Sequence, residues 1–295
     1  MHGVGEPTEA QLAWVAQVLR VREVSVLAGM HDGGSPWLLR AGERPVVLRV
    51  GTPEHRGEYI TERAALRLAA QSHAPAPRLL ATSDSEGPLT LIEHLAGSSA
   101  IPANARPARL NALGATAARL HAVHLEPTAA LPQRSRPIST EDFAKQRRER
   151  GTNALLHTAE ERVARIHPVP ASVFVHGDLW QGNTLWAGDT LVALLDWDCA
   201  GAGPPGVDLG SLRCDAALCY GPAAADHILT GWEQQTGIQA SDVAYWDVTA
   251  ALATPPDLGW FPAAISAQGR PDLTRPILKA RRDAFLRNAL ARLPE

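Results

Sequence analysis

Apolar positions change their period several times along this chain, and each change marks an element. Thr8-Glu9-Ala10-Gln11 has the make-up of a capping box, and Leu12, Val15, Ala16 and Leu19 follow at helical spacing, which predicts a short amphipathic helix over 8–20. The period then shortens. Stretches 24–27, 36–40 and 45–50 are β-prone runs separated by 29–35 and by 41–44, the pattern of three antiparallel strands joined by hairpins. Helical spacing returns over 57–71, with Ile60, Ala64, Ala65 and Leu68 on one face, until Pro75 and Pro77 stop it. Two more strands, at 78–81 and 89–92, complete a small β-rich lobe that ends near residue 95.

Beyond Gly97-Ser-Ser-Ala the pattern is mainly helical. Residues 106–124 carry Leu110, Leu113, Ala117 and Leu120 in register, 140–165 is a charged and mostly helical stretch, and the chain after 207 reads as helix to its end. Short strands at 172–175 and 191–195 interrupt the helices. The expected organisation is α+β, with a lobe over 1–95 and a larger α-rich lobe over 96–295, without repeats or low-complexity segments.

Composition narrows the chemistry. The 295 residues include only two lysines, Lys145 and Lys279, and neither stands in a Gly-x-x-x-x-Gly-Lys loop, so P-loop phosphate binding is excluded. Neither has the apolar setting that activates a Schiff-base lysine. A net charge of −3 and a pI near 6.4 argue against a general nucleic-acid partner. Lys145-Gln-Arg-Arg-Glu-Arg150 mixes signs and reads as a solvated helix face. Cys199, Cys214 and Cys219 form neither a Cys-x-x-Cys pair nor an even disulfide framework, which predicts reduced, partly buried thiols. The first twenty residues lack a signal-peptide pattern and no run has the length of a membrane span, so a soluble cytoplasmic protein without a membrane partner is expected.

The chemistry concentrates in 173–210. An apolar strand enters the polar loop His176-Gly177-Asp178-Leu-Trp180-Gln-Gly182-Asn183, and a second strand delivers Asp196-Trp197-Asp198. Asp178, Asn183 and Asp196 are spaced by five and then thirteen residues, which lets a strand–loop–strand hairpin bring all three together. Carboxylate and amide oxygens without a His or Cys set suit Mg²⁺, a hard cation that substrate phosphates complete. Closing a turn is the alternative duty of each residue alone. Gly201-Ala-Gly203-Pro-Pro-Gly206 formally fits a dinucleotide fingerprint, but Pro204 and Pro205 remove the N–H donors a pyrophosphate needs, and the segment reads as a rigid turn.

His176-Gly177-Asp178, with Asn183 after four intervening residues, resembles the H-x-D-x-x-x-x-N loop of the protein-kinase-like fold, with Asp196 where such folds place a metal-binding Asp. Together with Leu195-Asp196-Trp197-Asp198 and Gly206-Val-Asp208-Leu-Gly210, the string is similar to the aminoglycoside phosphotransferase family of small-molecule kinases. The resemblance implies a two-lobe fold: a small antiparallel β-sheet N-lobe with one main helix, and a larger, mostly α-helical C-lobe. It implies ATP and Mg²⁺, with Asp178 as catalytic base or as the group that orients the acceptor hydroxyl, and Asn183 and Asp196 as metal ligands. His176 would brace the loop, Asp208 would cap or anchor the helix after it, and Asp198 would support the metal site or touch substrate. On the third strand Arg49 takes the place of the usual lysine and pairs with Glu62, gripping phosphate or merely forming a salt bridge. Gly33, Gly34 and Ser35 would cover the phosphates, and Glu93 to Leu95 would form the adenine hinge.

The implied reaction is transfer of the γ-phosphoryl group to a hydroxyl of a small molecule. Residues 211–275 hold seven acids against three arginines, which favours a cationic acceptor such as an aminoglycoside, with Asp215, Trp232 and Trp260 as candidate contacts. A metabolic sugar, amino alcohol or fructosamine-like acceptor is the main alternative. A nucleotide-binding module without catalysis and a metallohydrolase built on His176 and Asp178 are the alternatives from other classes.

Overall fold

The computed structural model describes residues 5–31, 34–85, 87–151 and 153–294, and the chain divides into two compact units, Met1–Ala96 and Gly97–Glu295. In unit 1, α1 (Glu9–Leu19) starts on the expected capping box: Thr8 Oγ1 accepts from Gln11 N–H at 3.2 Å, while Gln11 Oε1 accepts from Thr8 N–H at 3.0 Å. Strands β1 (Val24–His31), β2 (Gly34–Ala41), β3 (Arg44–Val50), β4 (Leu79–Ser83) and β5 (Leu89–Glu93) form one antiparallel sheet in the order β1-β2-β3-β5-β4.

Side-chain alternation along β3 separates two tasks. Val46, Leu48 and Val50 join Val15 of α1, Leu39, Leu89 and Leu91 in the apolar core of the unit. Arg49 projects the other way and meets Glu62 of α2 (Arg56–Gln71). Arg63 of α2 is buried and donates to Ser83 O and Leu89 O, pinning the helix to strands β4 and β5.

Unit 2 is mostly helical, as the periodicity predicts, with local differences. The 140–165 stretch is two helices, α4 (Phe143–Arg150) and α5 (Ala154–Val163), after α3 (Pro107–His121). Gly151 at φ +87° separates them, and Asn153 starts α5 by accepting from Leu156 N–H. Within the charged run, Arg147 is not on a solvated face: it is buried, with Nε on Glu160 and Nη1 on Leu252 O. The remaining elements are β6 (Val173–Val175), β7 (Thr184–Ala187), β8 (Thr190–Leu194), β9 (Gly201–Gly203), α6 (Gly206–Tyr220), α7 (Ala225–Thr236), α8 (Val243–Leu252), α9 (Phe261–Ala267) and α10 (Arg275–Arg292).

Two of these strands lie where none is expected. β7 pairs with β8 as a hairpin, and β9 pairs antiparallel with β6. The glycine-rich segment read as a rigid turn is thus a strand with backbone on both sides. Ala202 O accepts from Arg134 N–H at 2.7 Å and Ala202 N–H donates to Pro132 O at 3.0 Å, an approach that side chains at 201 and 203 would block.

Helix α6 is buried around nearly its whole circumference and packs against α3, α7, α8 and α10, so it forms the axis of unit 2. α3 and α7 cross at glycines: a Cβ on Gly114 would stand 2.0 Å from Ile228 O, and one on Gly231 would stand 2.0 Å from Asn111 O. Neither backbone can yield without separating the helices. Gly114→Ala is therefore expected to lower stability by about 1–3 kcal/mol, the usual penalty of overpacking. Urea denaturation checks this, and an unchanged midpoint would contradict so tight a crossing.

Candidate active site

The loop between β6 and β7 carries the site. Its first residue, His176, is fully buried; its ring Nε2 donates to Leu195 O at 2.8 Å, and its Nδ1 accepts from Asp178 N–H at 3.4 Å. Trp197 packs against this ring, with centroids 4.6 Å apart. Burial pushes the His176 pKa down against the opposing charge of Asp208, which agrees with a neutral ring that donates through Nε2 alone. Gly177, at φ +82°, lies so near Cys199 O that a Cβ would stand 2.0 Å from it.

Asp178 and Asn183 meet directly. Asn183 Nδ2 donates to the Asp178 carbonyl at 2.9 Å and to carboxylate Oδ2 at 3.1 Å. Both amide hydrogens are thereby directed at Asp178, and the amide oxygen is the atom left for a cation. A single 3₁₀ turn, Gln181–Asn183, returns the chain to this position. Asp196 is brought in by its neighbour: Leu195 N–H donates to Asn183 O at 2.8 Å, while Leu195 O takes the His176 hydrogen bond. Asp196 itself lies just beyond β8, at φ +62°, a left-handed conformation that an aspartate adopts at a cost of about 1–3 kcal/mol. The three residues singled out by spacing therefore share one site.

Burial and the charges of Asp196, Asp198 and Asp208 push the Asp178 carboxyl up to about 8, against the lowering effect of the Asn183 hydrogen bond. A partly buried carboxyl crowded by like charge suits a divalent cation. Asp196 and Asn183 could offer a cation one carboxylate and one amide oxygen, and among the described residues no three His, Cys, Asp or Glu side chains gather as a metal-holding group. So sparse an oxygen set fits Mg²⁺, which keeps water and substrate phosphate in its coordination sphere.

Of the two duties expected of Asp208, capping is not the one found. The residue lies in the first turn of α6, and instead of capping that helix it accepts from the backbone N–H groups of His176 and Gly177, each at 2.8 Å, and from His121 Nε2 at 3.1 Å. Burial raises its pKa, but the hydrogen bond from His121 and the His176 contacts outweigh that and hold it below the ordinary carboxylate range.

The remaining expected residues are dispersed. Arg49 and Glu62 form their ion pair within unit 1, with Glu62 almost completely buried. Gly33 lies outside the described residues. Gly34 opens β2, and the Ser35 hydroxyl is committed to the backbone of Val50, donating to its O and accepting from its N–H. Glu93 ends β5 with its N–H donated to Arg78 O and its carboxylate accepting from Arg78 N–H, so that N–H is closed to a base; Leu95 follows the strand.

Two acceptor contacts expected in unit 2 are buried inside it. Asp215 accepts from Gln181 N–H and Nε2, at 3.2 and 2.8 Å, and Trp232 donates to His121 Nδ1 at 3.0 Å; both side chains are almost wholly enclosed. Burial outweighs the Gln181 bonds and raises the Asp215 carboxyl to about 6. Trp260 is half exposed and packs on Phe261 at 4.6 Å.

The acid excess of 211–275 is likewise spent locally. Asp247 is fully buried between Arg213 and Arg292, Asp272 pairs with Arg270, and Glu233 and Asp242 accept backbone N–H groups. Gln181, Tyr220 and His121 are the residues that motif reading missed. Gln181 ties the Asn183 turn to α6 through Asp215 and through Tyr220 OH at 3.0 Å, and no local pattern marks those partners.

The family described as the phosphotransferase enzyme family matches residues 28–252, about three quarters of the chain, including every residue of the loop. Solved structures give the same fold. A macrolide 2′-phosphotransferase from Brachybacterium faecium superposes with TM-score 0.62 at 20% identity, covering 98% of this chain and 100% of its own. An AMP-bound spectinomycin phosphotransferase gives 0.62 at 12% identity, covering 96% and 99%, and a choline kinase from Streptococcus pneumoniae gives 0.59 at 14%, covering 95% and 97%. No curated protein matches the sequence. The α+β, kinase-like architecture expected from the loop is therefore the one the chain adopts.

Like-charge crowding makes a specific titration expected. In metal-free protein the Asp178 carboxyl, followed by ¹³C NMR, should lose its proton with a midpoint near 8. Asp198→Asn removes one of the charges that raise it, so the midpoint should move down. A midpoint at the ordinary carboxylate value of about 4 in the unmodified protein would overturn the electrostatic description.

Proposed function

Because the chain belongs to the phosphotransferase enzyme family, we propose that it transfers the γ-phosphoryl group of ATP, with Mg²⁺, to a hydroxyl of a small molecule, and that a cationic antibiotic such as an aminoglycoside is the favoured acceptor class. The observation that carries this reading is the Asp178–Asn183 hydrogen bond, with Asp196 and Asp198 close enough to raise the Asp178 pKa. When bound, Mg²⁺ neutralises charge on the phosphates that pass through the transition state.

Within this reading, Asn183, through its amide oxygen, and Asp196 hold the cation. Asp178 accepts the proton of the acceptor hydroxyl or orients that hydroxyl toward the phosphorus. Its raised pKa means that it holds a proton at neutral pH until positive charge arrives nearby. The same surplus of negative charge favours an acceptor with a cationic group beside the reacting hydroxyl. Arg49, held by Glu62, contacts the α- and β-phosphates with a planar fork of donors. Gly34, Ser35 and Leu95 contribute backbone groups to the nucleotide, and Trp260 offers a ring face to the acceptor.

Asp178→Asn is expected to lower kcat by about 10²–10⁴-fold with the fold intact, since it removes proton acceptance without removing the Asn183 contact. Circular dichroism together with steady-state ATP turnover checks this, and an unchanged kcat would remove Asp178 from its role. Arg49→Ala should weaken nucleotide binding by about 10–100-fold, the worth of a charge-assisted hydrogen bond, with Arg49→Lys in between; equal affinity in all three proteins would reduce the pair to a structural salt bridge. A panel of aminoglycosides, other antibiotics, sugars and amino alcohols tests the acceptor. Turnover with a sugar or amino alcohol and with no antibiotic would overturn the acceptor class and leave the reaction class standing.

A further inference from the structure

Behind the Asp178 loop, three buried side chains from separate helices form a single hydrogen-bonded line. Trp232 of α7 donates from Nε1 to His121 Nδ1 at 3.0 Å, and His121 of α3 reaches Asp208 Oδ2 of α6 with Nε2 at 3.1 Å. An indole N–H can only donate, so Nδ1 is the bare nitrogen of His121 and Nε2 carries the hydrogen that goes to Asp208. The same Oδ2 also accepts the N–H of His176, and Oδ1 accepts the N–H of Gly177; these are the two residues before Asp178. All three side chains are at least nine-tenths buried. The glycine crossing of α3 and α7 at Gly114 and Gly231 brings His121 and Trp232 within reach of each other.

We propose that His121 and Trp232 are positioning residues for phosphoryl transfer. Trp232 selects the His121 tautomer, His121 supplies the third donor and ties the Asp208 carboxylate to α3, and Asp208 fixes the backbone that carries Asp178. The inference rests on the proposed role of Asp178. The two peptide donors grip one oxygen each, so any shift of the carboxylate that follows loss of the His121 donor travels directly into the loop. Misplacement by about 1 Å is enough to cost about 100-fold in rate.

Two substitutions at one position separate positioning from packing. His121→Gln keeps an amide N–H near the place of Nε2 and so keeps the donor to Asp208. His121→Asn places its amide near Nδ1, where it serves Trp232 but does not reach Asp208. Hydrogen–deuterium exchange read by mass spectrometry over 174–179 is expected to speed up by about tenfold in His121→Asn and to stay near the unmodified rate in His121→Gln. In ATP turnover, His121→Asn should lose about 10–100-fold in kcat with either KM changed by less than about threefold, and His121→Gln should recover most of the rate. Trp232→Phe, which keeps an aromatic ring but frees the tautomer, should fall between them, and it carries the same test if the His121 variants do not fold. Unchanged exchange and unchanged kcat in His121→Asn overturn the proposal, as does an equal loss in Asn and Gln that follows their melting temperatures. Should the unmodified protein transfer no phosphate to any acceptor, the functional reading fails, and the exchange measurement still decides whether His121 positions the loop.

Discussion

A buried carboxylate that must be satisfied without water governs this structure. Asp208 is fully enclosed, and its ionised form survives there only because three N–H donors converge on it. Hydrogen bonds to a buried charge are worth about 1.5–3 kcal/mol each, and leaving one unmade costs a comparable amount. The backbone of His176 and Gly177 therefore has little freedom, and neither does the helix that supplies His121. From this anchor the remainder follows: His176 holds Leu195, Leu195 holds Asn183, and Asn183 holds Asp178. A loop with little regular secondary structure is thereby made rigid by serial hydrogen bonding.

The second theme is arginine. With two lysines in the chain, nearly all positive charge sits on guanidinium groups, and many are used as internal fasteners rather than as solvated charge. Arg63, Arg147, Arg213 and Arg282 are buried, each donating to carbonyls or carboxylates from more than one nitrogen. A planar fork with five donors can satisfy several buried acceptors at once, which a single ammonium cannot. This use also explains why counting charges over 211–275 misleads. Asp247 is neutralised by Arg213 from inside that window and by Arg292 from outside it, so it adds nothing to an acidic face.

Charge behaves differently at the loop. Asp196 and Asp198 crowd Asp178 and raise its pKa, so negative charge is concentrated beside the residue proposed to meet the acceptor. Asp215, expected at the acceptor, works on the opposite side of the loop by holding Gln181, and Trp232 works on His121. Both side chains are engaged inside the helical unit, with Gln181 and with His121.

Local pattern determined much of this protein. The strands and helices of unit 1, the α-rich character of unit 2, and the grouping of Asp178, Asn183 and Asp196 were legible because each depends on neighbours within a few residues: a period of two or of 3.6, a capping box, a fixed number of residues around a hairpin. The short strands β7 and β9 were not legible, since three- and four-residue runs carry too little period, and β9 exists only because β6 and the 132–134 segment supply partners from elsewhere. The duties of His121, Asp208, Asp215 and Trp232 were also hidden. Whether an aspartate faces solvent, a substrate or a distant histidine is set by burial and by donors that arrive from helices far along the chain, and that convergence is decided only when α3, α6 and α7 pack together.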